Sequence, residues 1–290
     1  MHRLPRTPPS GYVPDLQKSD REFYNVRIVS FLCTFDDPEY LDAAIESFKW
    51  LPNKLYIIEG AWQSSLKTGM SERSGADTYN IIDKHVDNKK VFLIHANEAG
   101  EKEQRQVGLE RAKADGADWC WMLDSDEIYT RSTMMAIRNL LQTANTSSYT
   151  FRVRSYNFIN SFRRWYDGNY ARIYRVKPDA KFVQNNDVGF GDCLRWHTSR
   201  ELPESLRFYH YNYVKKDPAQ FWNKMRYHEN EDPSFKQRIS HQYGHKGNQY
   251  KIPSNIQLFT FTGGHPKIMQ THPNLVNNIY GDTDLRFLKE

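Results

Sequence analysis

Trp119-Cys120-Trp121-Met122-Leu123-Asp124-Ser125-Asp126-Glu127 is the stretch on which the reading of this chain turns. Trp119 to Leu123 are apolar without a break, and a run this short reads as a strand buried on both faces. Three carboxylates follow within four residues. Carboxylates two positions apart, at the exit of a buried strand, can reach one divalent cation. Mg2+ and Mn2+ favour oxygen donors, taking few from protein and the rest from phosphate and water. A bare D-x-D triplet is also a common surface turn or helix cap. Its place directly behind a buried strand favours the metal reading.

Towards the N-terminus the same pattern repeats. Val26 to Cys33, Lys54 to Glu59 and Val91 to His95 are further apolar runs, read as strands one to three. Asp36-Asp37-Pro38 offers a capped helix start, and Leu41, Ala44, Ile45 and Phe48 recur at helical spacing as far as Pro52. Ala61 to Ala76 is a polar loop, Thr78 to His85 a short helix, and Glu101 to Ala114 a longer one. Strands alternating with helices predict an α/β fold with a mostly parallel central sheet flanked by helices. Ligands of such sheets bind beyond the carboxyl ends of the strands. Asp36, Asp37, Glu59 and the Asp124–Glu127 cluster all fall at those ends.

Towards the C-terminus, Ser132 to Thr143 reads as a helix. Tyr149 to Tyr156, Ala171 to Val176 and Leu206 to Tyr213 read as strands, and helices are expected near Pro218 to His228 and Pro233 to His241. No internal repeat or low-complexity segment is visible.

The 290 residues carry a formal charge of +5, which suits an anionic ligand without demanding nucleic acid or an acidic membrane surface. The three cysteines, Cys33, Cys120 and Cys193, form no CxxC pair, which argues against zinc and for a reducing compartment. Met1 to Asp20 holds four prolines and little apolar content, so it reads as a loose arm rather than a targeting helix. No apolar run reaches the length of a membrane span. A soluble, cytoplasmic protein is expected, with any membrane contact peripheral.

Glu103-Gln104-Arg105, Gly108-Leu109, Ala112, Asp118-Trp119 and Met122 to Glu127 together resemble the core of family 2 glycosyltransferases. The resemblance is to the branch with an "LDADE"-type motif, which includes lipopolysaccharide-core sugar transferases. It covers roughly residues 26 to 130 and continues more weakly through Arg172 to Arg175 and Phe208 to Tyr211. It implies a GT-A fold, Rossmann-like in its first half, with a mixed α+β acceptor portion. Residues 1–22 would be an arm, 23–147 the nucleotide-sugar-binding half and 148–290 the acceptor-binding half with a C-terminal extension. By the resemblance Thr34, Asp36, Glu59, Arg105 and Asp124 would bind the donor. Asp126, Asp124 and His210 would hold Mn2+ or Mg2+. The partners implied are a nucleotide-diphosphate sugar and an acceptor: a saccharide, a glycolipid, or a nucleic acid through a modified base. Transfer with inversion is the family's usual course.

The chain departs from that pattern in places. Gln106 stands where the family commonly has Asn, and Glu59-Gly60-Ala61-Trp62 replaces a run of Asp, Gly and Ser. A "VHE"-like segment is replaced by residues 186–192, so the base that takes the acceptor proton is sought in Asp187 and Asp192. Trp62, Trp165, Tyr166 and Trp196 are candidate stacking residues. Arg152, Arg154, Arg163, Arg164 and Arg172 suggest either a solvated basic face or a phosphate-binding surface. Two rival readings follow. A nucleotidyltransferase would carry a Gly-rich basic loop where this chain has Cys33 to Asp37. A noncatalytic binding protein would have lost the base but would have no folding reason to keep Asp124, Asp126 and Glu127 together.

Overall fold

The computed structural model describes residues 26–66, 69–143, 149–184, 187–189, 199–216, 245–246, 249–250 and 257–277. Strands β1 (Ile28–Thr34), β2 (Lys54–Glu59), β3 (Val91–His95) and β4 (Trp119–Asp124) lie parallel in the order β3-β2-β1-β4. The apolar character of β1, β2 and β4 has a direct cause, since both their faces are covered, whereas β3, at the sheet edge, buries only Val91. Ile28, Leu32, Leu55, Ile57, Trp119, Trp121 and Leu123 belong to one core cluster. Val29, Phe31, Tyr56, Ile58, Cys120 and Met122 belong to the other. Helices α1 (Leu41–Phe48), α3 (Ala76–His85) and α5 (Arg131–Thr143) pack into the first cluster, and α4 (Glu101–Ala114) into the second. A single turn of helix, α2 (Gln63–Leu66), interrupts the loop expected between Ala61 and Ala76.

Gly108 lets α4 approach the sheet. A Cβ there would lie 2.2 Å from Cγ of Phe31. This close seating sets the height of Arg105, one turn earlier on the same helix, above the end of β1.

The sheet continues past β4 in mixed sense. β5 (Glu127–Ile128), β6 (Thr150–Ile159), β7 (Arg164–Arg175) and β11 (Arg207–Tyr213) extend it in the order β4-β7-β6-β11-β5. β7 runs antiparallel to β4 and β6, β11 parallel to β6, and β5 antiparallel to β11. β10 (Ser199–Glu201) pairs with β6, and β14 (Phe259–Thr260) with β7. β8 (Lys181–Gln184) with β9 (Asp187–Gly189), and β12 (His245–Lys246) with β13 (Gln249–Tyr250), form separate hairpin-like pairs. A 3-10 turn (Lys267–Thr271) and α6 (Pro273–Val276) close the described chain. There the ring of His272 stacks on Tyr40, and Asn274 donates to Oε1 of Glu39 at 2.5 Å. Among the described residues no helix is long and apolar enough to cross a membrane.

The α/β class and the helix-flanked sheet are as expected, and two local readings change. The Asp36-Asp37-Pro38 turn does not cap α1, which begins at Leu41 without a side-chain cap. Instead Asp36 adopts φ 46° and the turn carries its carboxylates to the sheet rim. The strand expected over Ala171 to Val176 is the last part of β7, which begins at Arg164. Arg164, Asp167, Gly168 and Asn169 break its apolar pattern, and pairing with β6 and β14 holds them extended. The two-residue β5 gave no periodic signal at all. The helices expected over 218–228 and 233–241 lie outside the described residues.

Candidate active site

A cavity of about 660 Å3 opens at the carboxyl ends of β1 and β4, where the strand order reverses. The turn after β1, the Asp124–Asp126 turn, the first turns of α4 and residues of β7 and β11 line it. Parallel register explains the convergence: Cys33 pairs with Asp124, and Thr34 with Glu59.

Two arginines hold Asp124. Nη2 of Arg105 lies 2.9 Å from its Oδ1, and Nη2 of Arg172 lies 2.7 Å from its Oδ2. Burial opposes ionisation of Asp124, but Arg172 and then Arg105 outweigh it and hold the carboxyl at about 2. Arg172 also grips Glu127, with Nε at 2.9 Å from Oε1 and Nη2 at 2.6 Å. Glu101 completes the cluster, 2.5 Å from Nη2 of Arg105. Both arginines are almost wholly buried, with exposures of 3% for Arg105 and 1% for Arg172. Such charges persist inside a protein only when paired on several sides.

Asp126 and His210 meet beside this cluster. β5 pairs antiparallel with β11, setting Glu127 opposite His210, and the amide of Tyr211 donates to the carbonyl of Asp126 at 3.0 Å. Nε2 of His210 thereby comes to 3.2 Å from Oδ1 of Asp126. Among the described residues, no three His, Cys, Asp or Glu side chains form a metal-holding group. One carboxylate and one imidazole still fit a cation that takes its remaining donors from phosphate and water.

A third tie joins the turns. Oγ of Ser125 donates to Oδ2 of Asp37 at 2.7 Å, and Nζ of Lys215 lies 2.8 Å from Oδ1 of the same residue. Asp36 is fixed from the other side. Its amide donates to Oγ of Ser74 at 2.8 Å, and the amide of Gly75 donates to its Oδ1 at 3.1 Å.

Of the residues singled out in the sequence, Thr34, Asp36, Arg105, Asp124, Asp126 and His210 line the cavity. Glu59 is not among the lining residues. Its fully buried carboxylate accepts from the amide of Ser74 at 2.8 Å and from the hydroxyl of Tyr79 at 2.6 Å. It holds the loop that holds Asp36. Asp187 lies in β9, also outside the lining, and burial raises its carboxyl against the pull of Arg152. Asp192 and Trp196 lie outside the described residues. Trp62 lines the cavity and donates to Oε1 of Gln104 at 3.1 Å, whereas Trp165 packs on Tyr156 and Phe259.

The arginine cluster is largely committed within the protein. Arg152 donates to the carbonyl of Asn169, and Arg154 pairs with Asp167 and Glu201. Sequence reasoning missed Lys215, Arg172 as the partner of Asp124, and Asn157 beside His210. Arg172 and Asn157 stand in strands, and Lys215 just past the end of β11, whose neighbours only the sheet order reveals.

No family model matches the chain, and no curated protein does. Solved structures with likeness include S. aureus TarS 1-349 in complex with UDP-GlcNAc, at 13% identity and TM-score 0.43, covering 71% of this chain and 66% of that one. S. aureus TarS is matched at 13% identity and TM-score 0.33, covering 46% of this chain and 22% of that one. Glucosyl-3-phosphoglycerate synthase from Mycobacterium tuberculosis, in complex with Mn2+, uridine diphosphate and glucosyl-3-phosphoglycerate, is matched at 14% identity and TM-score 0.33. That match covers 45% of this chain and 44% of the other. The chain thus spans 22% of the S. aureus TarS structure, and these likenesses describe partial overlap.

Proposed function

We propose that this chain is a metal-dependent glycosyltransferase that moves a sugar from a nucleotide-diphosphate donor to an acceptor, with inversion. The observation that carries the reading is the approach of Asp126 and His210 at the carboxyl end of a parallel sheet, inside a cavity of suitable size. The charge around that cavity supports it. Six carboxylates (Asp36, Asp37, Asp77, Glu101, Asp124 and Asp126) outnumber three cations (Arg105, Arg172 and Lys215). A diphosphate entering alone would meet a field of its own sign, and a divalent cation removes that conflict.

On this reading Asp126 and His210 hold the cation, with Asp124 beside them. Bound there, the cation would neutralise the diphosphate leaving group. Asp124 keeps Arg105 and Arg172 aimed at the same side of the cavity, where guanidinium forks match phosphate oxygens. Thr34, Asp36 and the loop clasped by Glu59 shape the nucleotide end. Residues 23–147 form the donor half and 148–290 the acceptor half. The acceptor's base is sought in Asp187 or Asp192, of which Asp187 does not line the cavity and Asp192 lies outside the described residues. The acceptor is a saccharide, a glycolipid or a modified base in nucleic acid, the classes the resemblance leaves open.

The test is nucleotide release. The chain is incubated with a panel of nucleotide-sugars and Mn2+, and free nucleoside diphosphate is measured by chromatography. One donor is expected to be turned over, with loss of turnover on chelation and in Asp126→Ala. Turnover that survives chelation overturns the metal assignment. Binding without turnover of any donor, with every acceptor class supplied, overturns the transferase reading in favour of a noncatalytic binder.

A further inference from the structure

We infer that Asn157 is a positioning residue that sets the proton and the ring orientation of His210, so that Nε2 presents its lone pair beside Asp126. The inference rests on the metal reading above.

Asn157 stands in β6, with His210 opposite on β11 and Tyr166 opposite on β7. Its side chain is fully buried. A buried amide in the middle of a sheet is costly unless each polar atom is used. Here the ends of the amide are distinguishable. Nδ2 lies 3.4 Å from the backbone carbonyl of Tyr166. That carbonyl can only accept, so the amide nitrogen must face it. Oδ1 then faces Nδ1 of His210 at 2.6 Å and takes the hydroxyl of Tyr170 at 3.2 Å. An amide oxygen only accepts as well. The hydrogen therefore sits on Nδ1, and in the neutral ring Nε2 is left as an acceptor. It is this Nε2 that lies 3.2 Å from Oδ1 of Asp126.

The surroundings are shaped for the amide. Gly168 on β7 leaves its place: a Cβ there would lie 2.1 Å from Nδ2 of Asn157 and 2.4 Å from Oγ of Ser155. Three residues of β7 thus serve one side chain. Tyr166 orients it, Gly168 makes room for it, and Tyr170 supports its oxygen. A ligating histidine commonly has its far nitrogen fixed by such a partner, which sets the tautomer and raises ligand basicity.

Two measurements test this. The first needs neither metal nor variant. Nitrogen-15 spectra of the histidine rings, taken at about pH 8 where an ordinary imidazole is neutral, should show His210 with its hydrogen on Nδ1. The second is Mn2+ affinity by titration calorimetry. Asn157→Leu should release the ring, shift the hydrogen towards Nε2 and weaken Mn2+ binding by about 10- to 100-fold. Asn157→Asp keeps an acceptor for Nδ1 and should keep the hydrogen there and most of the binding, at a cost in stability because it sets an oxygen against the Tyr166 carbonyl. A native ring protonated on Nε2 overturns the inference. So does Mn2+ binding that His210→Ala weakens and a folded Asn157→Leu does not, while leaving the metal reading intact. A native chain that binds no Mn2+ overturns the metal reading, and this inference with it.

Discussion

Nη2 of Arg172 lies 2.7 Å from Oδ2 of Asp124, so one buried guanidinium on β7 bridges the end of β4 to the Glu127 carboxylate on β5. The pair joins the parallel half of the sheet to the mixed half at the cavity. Removing the cation leaves Glu127, fully buried, without its two-point partner. Arg172→Met is predicted to cost about 3–5 kcal/mol, the range for breaking a buried pair from one side. Arg172→Lys restores the charge without the fork and should fall between the two. Urea unfolding midpoints measure this. A loss below about 1 kcal/mol for Arg172→Met would show the pair to be energetically idle.

Gly108→Ala tests how tightly α4 is seated. Alanine is the better helix former by about 1 kcal/mol. The added Cβ would nevertheless meet the Phe31 ring at 2.2 Å. Overpacking is expected to win, with a net loss of about 1–3 kcal/mol. Because Arg105 rides on the same helix, donor affinity should fall too. Combining Gly108→Ala with Phe31→Leu should recover part of both losses. A neutral or stabilising Gly108→Ala would mean that the helix shifts freely.

His265 predicts a pH dependence. It is 6% exposed, its Nδ1 faces the hydroxyl of Tyr211 at 2.8 Å, and its Nε2 faces the carbonyl of Phe162 at 3.0 Å. Burial lowers its titration to about 4, against the partial counter-pull of the Phe162 carbonyl. In the unfolded chain an imidazole titrates near 6.5. The unfolded state therefore takes the proton first. The contribution is complete above about pH 6.5 and drains away as pH falls towards about 4, with roughly 3 kcal/mol at stake. Denaturant midpoints between these pH values should fall in the native chain and flatten in His265→Gln. An equal slope in both would assign the acid sensitivity elsewhere.

Glu59→Ala should loosen the loop rather than remove a ligand contact. It leaves the Ser74 amide and the Tyr79 hydroxyl without their acceptor, and Ser74 no longer braces Asp36. A stability loss of about 1–3 kcal/mol is expected from the stranded donors. Hydrogen exchange should quicken at Ser74 and Gly75. Unchanged exchange there, with donor affinity lost, would return Glu59 to direct ligand contact.

The parallel half of the fold was legible because β1, β2 and β4 are covered on both faces, which writes apolar runs into the sequence. Asp124 and Asp126 were legible for the same reason, since a buried strand points at them. The pairing of Arg172 with Asp124 and the place of Asn157 beside His210 were not. Arg172 and Asn157 each sit in a strand where polar and apolar residues mix, and the partner is set by which strands pair, a choice no spacing records. His210 was visible only through resemblance, because β5, which brings Asp126 to it, is two residues long. Glu59 was placed at the right strand end, and its partners within the protein, Ser74, Tyr79 and His95, arrive from later segments whose return to β2 could not be read from the chain.

The most direct measurement of the central claim is thermal stability against a panel of nucleoside diphosphates and nucleotide-sugars, with and without Mn2+, in the native chain and in Asp126→Ala. A ligand at about 100 times its dissociation constant adds about 2.7 kcal/mol to the folded state. The account predicts a clear rise in melting temperature with one donor, present only with Mn2+ and lost in Asp126→Ala. A rise of equal size without the metal, or one untouched by Asp126→Ala, would contradict it.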